Sequence, residues 1–597
     1  SSLRNGLSRV SRAPAGYRAI HRRYDVIVVG GGHAGTEAAA AAARVGAETL
    51  LVTQKIDTIG ALSCNPSLGG VGKGQLVREV DALDGLCGRA GDRAGIHFSV
   101  LNRSKGPAVW GPRAQLDRQR YRDFIQAELL ATPRLEVMEG SVEELLVEEE
   151  RPGRHRVTGI RLAGHAPPLE ASSVILTTGT FLSGFLFLGQ TSSPGGRIGD
   201  PPSSSGLSRT LKETLGLQVG RLRTGTPPRI LKDSVDLTLA TLHPPDQHPT
   251  PFSFLNTHTH CKPEEQLPCY LVRTTPGVDR VVMESLDDNS HIQEDTKGPR
   301  YCPSIESRVL RFPGRSHQVW LEPEGMTSNL LYPQGLSMTM PPDMQLRLLR
   351  QIPALHRVEI STPGYGVQYD YVCPTQLCPS LQVKTTQGLF LAGQINGTTG
   401  YEEAAAQGLW AGVNAARSAL AAPLLALSRT ESYIGVLIDD LVTRGVTEPY
   451  RMFTSRAEFR TLLRPDNADL RLTLKGFEEV GCVSAQRYNE AVRVKEGLEE
   501  AFSTLGSLSR SPRDWRKTLE TSSISQNKGG TLTIEREEGM YLSPDLDYLS
   551  LPVSLSNEVR EILDRVRPTT VSSDLVGSAL FLHPISHNTK HSPFSLQ

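Results

Sequence analysis

DVIVVGGGHAGTEAAAAAARV, residues 25–45, reads as strand, tight turn and helix in immediate succession. Asp25-Val26-Ile27-Val28-Val29 is a β-branched apolar run of strand length, and the alanines from Ala38 to Ala43 propagate a helix. Between them Gly30, Gly32 and Gly35 take the GxGxxG positions. The first serves the turn, the second the close approach of a pyrophosphate to the backbone, and the third the packing of helix on strand. The helix N-terminus then points its free N–H groups at phosphate. A second strand, Thr49 to Thr53, follows at βαβ spacing, so the pattern predicts a dinucleotide-binding fold. One position departs from the fingerprint: where an acid would hold the ribose hydroxyls, the second strand ends on Thr53 and Gln54.

Two distant segments extend this unit. Val174-Ile175-Leu176-Thr177-Thr178-Gly179-Thr180 is a strand running into a glycine crossover. Gly388-Leu389-Phe390-Leu391-Ala392-Gly393-Gln394 is a short apolar strand, followed by an Ala-rich helix opening at Gly400-Tyr401-Glu402-Glu403. A strand and helix that return so late to close the first domain are the arrangement of flavoproteins with two dinucleotide-binding domains. They favour tightly held FAD over a diffusible nicotinamide at this site.

Composition narrows the class. With 38% hydrophobic and 21% charged residues the chain is an ordinary globular enzyme by content, and its 597 residues leave room for several domains. No apolar run reaches the length of a membrane span, since the alanine run stops at Arg44. Basic and acidic residues balance at 64 each, yet Arg4, Arg9, Arg12, Arg18, Arg22 and Arg23 fall in a leader without an acid. That Arg-rich, Ser-containing leader predicts a mitochondrial transit peptide over 1–23 and a matrix location, a basic tail being the alternative. The rest is mildly acidic, so any RNA contact must use local patches. The eight cysteines, at 64, 87, 261, 269, 302, 373, 378 and 482, show no CxxC and no zinc spacing; no metal site is predicted, and each is by default a small buried apolar group.

Longer strings are more specific. They are GGGHAGTEAA at 30–39, SCNPSLGGVGKG at 63–74, NRSKGPAV at 102–109, GGRIGDPP at 195–202, RTGTPPRI at 223–230, GPRYCPSIE at 298–306, LEPEGMTSN at 321–329, AGQINGTTGYEEAAAQG at 392–408 and EPYRMFTSRAEFR at 448–460. In these the chain resembles the GidA family, the FAD-dependent large subunit of the enzyme that installs carboxymethylaminomethyl-type groups on the wobble uridine of tRNA. With the leader, the resemblance is to the mitochondrial branch, which implies 5-taurinomethyluridine. It implies FAD contacts at Gly30, Gly31, Gly32, His33, Ala34 and Gly35, at Val142, at Ser203 and at Gln394. It implies nicotinamide contacts at Gly298, Pro299, Arg300, Tyr301, Ser304 and Phe312. It also implies NADH as reductant, methylenetetrahydrofolate as one-carbon donor, a homodimer and a partner tRNA-modification GTPase. Val71-Gly72-Lys73-Gly74 is no Walker loop, so GTP hydrolysis would belong to that partner.

The chemistry asks for a thiol. C5 of uridine is a poor nucleophile until a thiolate adds at C6 and makes it enolate-like. Cys64 lies in a glycine-rich loop with Lys73 close in sequence, and Cys302 is flanked by Arg300. On the residues alone each reads more readily as an inert structural cysteine than as a nucleophile. The resemblance places both at functional cysteine positions and leaves open which one attacks. His33 and Lys73 are acid–base candidates, with phosphate positioning or plain solvation as the alternative.

Arg456, Arg460 and Arg464 recur every four residues beside Phe453 and Phe459, which predicts a helix face for RNA phosphates and bases; the alternative is a solvated face paired with Glu458 and Asp466. Leu555 to Leu563 and Arg567 to Thr570 resemble the family's C-terminal helices. The resemblance stops near 571, and 572–597, with His583, His587 and His591 too isolated for a metal, is expected to be a disordered tail. The predicted architecture is α/β: a Rossmann-like FAD-binding fold over 24–225 and 360–420, an inserted nicotinamide-binding α/β domain over 226–359, and a C-terminal α-helical domain binding tRNA or partner over 430–571. Two other functions remain open at this point. One is a thiol-disulfide flavoprotein reductase using Cys373-Pro374-Thr375-Gln376-Leu377-Cys378, and the other is a non-catalytic FAD-binding scaffold left by the altered C-terminus.

Overall fold

The β-branched run forms β1 (Arg23–Val29), Gly30 turns the chain into α1 (His33–Val45), and β2 (Thr49–Thr53) returns parallel to β1 with Val28 beside Leu51. These elements come from a computed structural model that describes residues 10–12, 23–164, 167–201, 205–289 and 304–507. After Ser67–Gly69 joins a small antiparallel sheet with Gly95–Leu101 and Gly111–Leu116, α2 (Lys73–Ala82) begins at the glycine-rich loop. β3 (Leu135–Glu139) lies parallel on the outer side of β2, and β4 (Leu169–Leu176) on the free side of β1, with Ile175 beside Val28. The predicted late strand is β5 (Leu389–Leu391), parallel to β4 with Phe390 beside Ile175. With Val10–Arg12 along β3, a hairpin, Val142–Arg151 with Arg154–Leu162, beyond β4, and Thr386–Gln387 parallel to Arg154–Leu162, the sheet reaches nine strands among the described residues. It is Rossmann-like, as the glycine turn predicts.

α3 (Tyr401–Ala419) explains the alanine run. Ala38 to Ala42 are wholly buried, and α3 packs along α1 so closely that a Cβ on Gly408 or Gly412 would overlap the α1 backbone at Ala34 and Ala38. Small residues on both helices let the two backbones approach, so β5 and α3 lock onto the first βαβ unit across a long gap in sequence. A bulky residue at Gly408 would separate them.

Residues 229–362 hold a second core around Ile230, Val278, Val319, Leu321 and Leu348. Its six strands, ordered Thr241–His243, Cys269–Arg273, Gln318–Pro323, Leu330–Gln334, Arg229–Leu231 and Ile360–Thr362, are all antiparallel. The sequence predicts a nicotinamide-binding α/β domain for this insert. Its helices, Pro276–Glu284, Ile305–Arg311 and Pro342–Leu349, flank an antiparallel sheet, so the strand–glycine–helix turn of β1 and α1 is not repeated there among the described residues. Parallel pairing needs long crossovers, and pairs such as Gln318–Pro323 with Leu330–Gln334 are joined too briefly for one. The insert connects through a four-stranded antiparallel sheet that includes Val219–Thr226 and Tyr365–Val372.

Past residue 430 the described helices are Tyr433–Asp439, Ala468–Lys475 and Ala485–Ser507, and the first two share the core of the first sheet rather than forming a separate helical domain. The chain divides into two compact units, 1–488 and 489–597; of the second only 489–507 are described, and the expectations for 508–571 and for the 572–597 tail fall outside the described residues. Among the described residues no helix is long and apolar enough to cross a membrane.

Candidate active site

The C-terminal ends of β1, β2, β4 and β5 open onto one cavity of about 710 Å³, the place where parallel α/β sheets bind ligands. Gly30 to Ala34 form part of its wall, and Thr53, Gln54, Val142, Thr178 and Gln394 line it beside them. Gly35 does not reach it: a Cβ there would collide with the Gly30 carbonyl, which makes this glycine a packing position. A Cβ on Gly32, by contrast, would meet nothing within 4 Å. No acid occupies the first turn of α1, whose leading N–H groups have no intrahelical acceptors. Backbone donors, open space and a helix dipole of the right sign fit a dinucleotide diphosphate.

His33 is buried, stacked on Tyr401 at 4.3 Å and on Tyr121 at 5.5 Å, with its Nε2 buried and unpartnered. Burial pushes its pKa down to about 4, against a smaller pull from Glu402, so the ring is neutral near pH 7. It serves as a stacked, neutral wall rather than a charged acid. Lys73, the other acid–base candidate, sits with Nζ 2.8 Å from both Glu402 and Glu403. Burial disfavours its charge, but the two carboxylates outweigh that and hold its pKa above the usual value. The glutamates in turn accept from backbone: Glu402 from Gly69 N–H at 2.7 Å and Glu403 from Met452 N–H at 2.9 Å. Lys73 is therefore a buried tie between loops, not the cation beside a thiol.

Cys64, half-buried, lies on the same cavity wall. The cations near it are Arg118 and Arg229, which donate to its carbonyl oxygen at 2.6 and 3.1 Å and share Glu324 at 2.6 and 3.2 Å. Its N–H donates to the Tyr401 hydroxyl at 2.6 Å, and its Sγ lies 3.4 Å from the Tyr332 hydroxyl. The Arg229 guanidinium stacks over the Tyr332 ring at 5.0 Å. Sequence reasoning did not assign these partners. Arg229, Glu324 and Tyr401 stand inside RTGTPPRI, LEPEGMTSN and AGQINGTTGYEEAAAQG, so the strings were visible and their meeting point was not.

Other expectations fall elsewhere. Ser304 caps the helix Ile305–Arg311 by accepting from Ser307 N–H, and Phe312 is exposed at its end; neither lines the cavity, which Arg308 between them does. Ser203, Gly298, Pro299, Arg300, Tyr301 and Cys302 lie outside the described residues. The expected helix face of Arg456, Arg460 and Arg464 is corrected: apart from one 3-10 turn, Thr454–Arg456, the stretch up to Asn467 is non-helical. Arg464 is only 2% exposed and clamped on Asp466 at 2.8 Å, which removes it as an RNA contact. Arg456 packs over the Tyr450 ring at 4.1 Å, while Arg460 remains exposed. Glu458 pairs with Arg429 instead of the neighbouring arginines. Cys373 and Cys378 are free thiols away from the cavity lining, which leaves the reductase reading without a dithiol at the site.

A profile of the glucose inhibited division protein A family matches residues 25–423. The chain belongs to the GidA family. The GidA match continues at 531–573 with the family's C-terminal helical bundle, described as that of the tRNA modifying enzyme MnmG/GidA, which ends where the resemblance fades. The 5-taurinomethyluridine-[tRNA] synthase subunit MTO1, mitochondrial, of Pongo abelii is 51% identical over 96% of this chain and 91% of its own, and that of Mus musculus 52% over 92% and 91%. The tRNA uridine 5-carboxymethylaminomethyl modification enzyme MnmG of Granulibacter bethesdensis is 52% identical over 82% of this chain and 77% of its own. The crystal structure of Aquifex aeolicus GidA superposes with a TM-score of 0.76 at 34% identity, over 94% of this chain and 98% of that one.

Proposed function

We propose that this GidA-family chain is the FAD-dependent subunit that modifies C5 of the wobble uridine of mitochondrial tRNA to 5-taurinomethyluridine. Mitochondrial relatives carrying that name align over more than nine-tenths of this chain. The observation that carries the reading is the placement of the Cys64 thiol and the Gly30 to Ala34 backbone on one cavity. The glycine loop and the α1 N-terminus would hold the FAD diphosphate, with Val142 and Gln394 beside it. When bound, FAD supplies the redox chemistry of the added carbon unit.

The chain's own residues have a separate task. Addition of the Cys64 thiolate to C6 of uracil breaks the C5–C6 double bond and moves its electron pair onto C5 and the O4 enolate. Once C5 has bonded to the incoming carbon, loss of the C5 proton and expulsion of the thiolate restore the double bond and free the cysteine. Arg118 and Arg229 fix the Cys64 backbone and bring positive charge to it, and the Tyr332 hydroxyl stands within reach of its sulfur. Cys302 is the other candidate for this attack. NADH, methylenetetrahydrofolate, a partner GTPase and a homodimer belong to the reading through the family resemblance. Arg308 on the cavity wall, in the segment from Ser304 to Phe312, supports a nicotinamide site there.

Mass spectrometry of wobble uridine from cells lacking this protein tests the proposal. Wild type should restore 5-taurinomethyluridine and Cys64→Ser should not, although it retains flavin. Wild type leaving the nucleoside bare would overturn the function, and full restoration by Cys64→Ser would overturn the role of Cys64.

A further inference from the structure

Two phenols meet Cys64 from different sides. The Tyr332 hydroxyl lies against its sulfur, 3.4 Å away, whereas the Tyr401 hydroxyl takes its backbone N–H at 2.6 Å. Both tyrosines line the cavity, and Arg118 and Arg229 beside Cys64 do not. The Arg229 donors go instead to Glu324, to Thr226 and to the carbonyls of Ser63, Cys64 and Pro227. Tyr401 opens α3, and its ring is stacked on His33 at 4.3 Å with the planes 14° apart. A hydroxyl can accept and donate at once. Here the oxygen accepts from Cys64 N–H, and among the described residues no group accepts its own hydrogen. Burial, with a smaller push from charge on Cys64, holds the Tyr401 pKa above the usual value, so the phenol keeps that hydrogen near pH 7. The result is a fixed O–H donor on the cavity wall, held on the backbone of the residue that bears the thiol.

Thiolate addition to C6 of uracil puts negative charge on O4, and loss of the C5 proton later puts it there again. An oxyanion formed twice in one turnover is stabilised best by a donor already in place, which needs no reorganisation as the charge develops. The N–H bond into the phenol oxygen also strengthens the hydrogen bond that the phenol donates. We infer that Tyr401 donates its O–H to O4 of the target uracil when Cys64 adds at C6. No covalent bond breaks at Tyr401: its hydrogen bond tightens as the enolate forms and relaxes when the thiolate leaves and the C4 carbonyl returns. This rests on the proposed function and adds a catalytic residue to it.

The flavin-loaded full chain with tRNA, NADH, methylenetetrahydrofolate, taurine and the partner GTPase provides the test, read as single-turnover formation of 5-taurinomethyluridine. Tyr401→Phe keeps the ring against His33 and removes only the hydroxyl. Its rate falls by about a hundredfold to a thousandfold, the loss for one oxyanion donor, while flavin content, flavin reduction by NADH and tRNA affinity stay at wild-type values. Alkylation of Cys64 by iodoacetamide, which creates no oxyanion, proceeds at the wild-type rate in Tyr401→Phe, whereas a residue that only held the loop would change it. With 4-thiouridine at the wobble position, whose sulfur is a weak hydrogen-bond acceptor, the Tyr401→Phe penalty shrinks by about tenfold. A wild-type rate in Tyr401→Phe, an equal penalty on 4-thiouridine, altered Cys64 alkylation or lost flavin overturns the inference. If wild type forms no 5-taurinomethyluridine, the proposed function falls instead, and if Cys64→Ser matches wild type, the role of Cys64 falls; inactive Cys64→Ser beside fully active Tyr401→Phe removes this inference alone.

Discussion

Two walls of one cavity are held by opposite means. The glycine-loop wall is backbone: no acid in the first turn of α1, Gly35 packed behind the turn with no room for a Cβ, and a buried neutral His33. The Cys64 wall is a mesh of charge, in which Glu324 bridges Arg118 and Arg229 while Lys73 bridges Glu402 and Glu403. The first wall is made by residues within a dozen positions of one another, the second by residues from five separate segments. The difference teaches that a diphosphate needs only N–H groups and room, whereas a thiol that must meet a base needs its loop clamped from several directions.

The largest effect should come from adding atoms behind the backbone wall. Gly35→Val drives a side chain into the Gly30 carbonyl, so the purified protein should be colourless, with the flavin absorbance band gone. Flavin retained at wild-type level would break the comparison. Next, Lys73→Met leaves two buried carboxylates without their cation and should cost about 3–5 kcal/mol of stability, seen as a lower denaturation midpoint of the flavin-loaded protein. A neutral outcome would mean the charged wall is not held by its pairs.

A smaller effect sharpens the contrast through pH. His33 is held neutral in the folded state at a pKa of about 4, but the unfolded chain takes up the proton near 6.5. Its contribution, about 3 kcal/mol by linkage, is therefore complete above pH 6.5 and lost as pH falls toward 4. Comparing melting temperatures at pH 7 and pH 5, the drop should be smaller in His33→Asn than in wild type. An equal drop would show that the ring is not protected by burial.

How far the site could be read follows the same division. The turn at Gly30, the packing role of Gly35 and the late strand β5 were legible because each sits in a local pattern with one physical meaning, whereas Cys64 stood out only through the family resemblance. Arg456, Arg460 and Arg464 misled because a four-residue spacing imitates a helix, while Asp466, two positions after Arg464, captures that guanidinium in a buried pair. The antiparallel insert was hidden too, since short apolar strands carry no mark of their pairing direction.

The sequence by itself determined the strand, glycine turn and helix of the N-terminal unit, because steric demands on φ, on Cβ and on N–H groups act between near neighbours. Only the tertiary structure decided what surrounds Cys64: Arg229, Tyr332 and Tyr401 lie 165, 268 and 337 positions away along the chain. Charge pairing and ring contact depend on distance in space alone, and many arginines and tyrosines would satisfy the same chemistry until the fold selects which ones arrive.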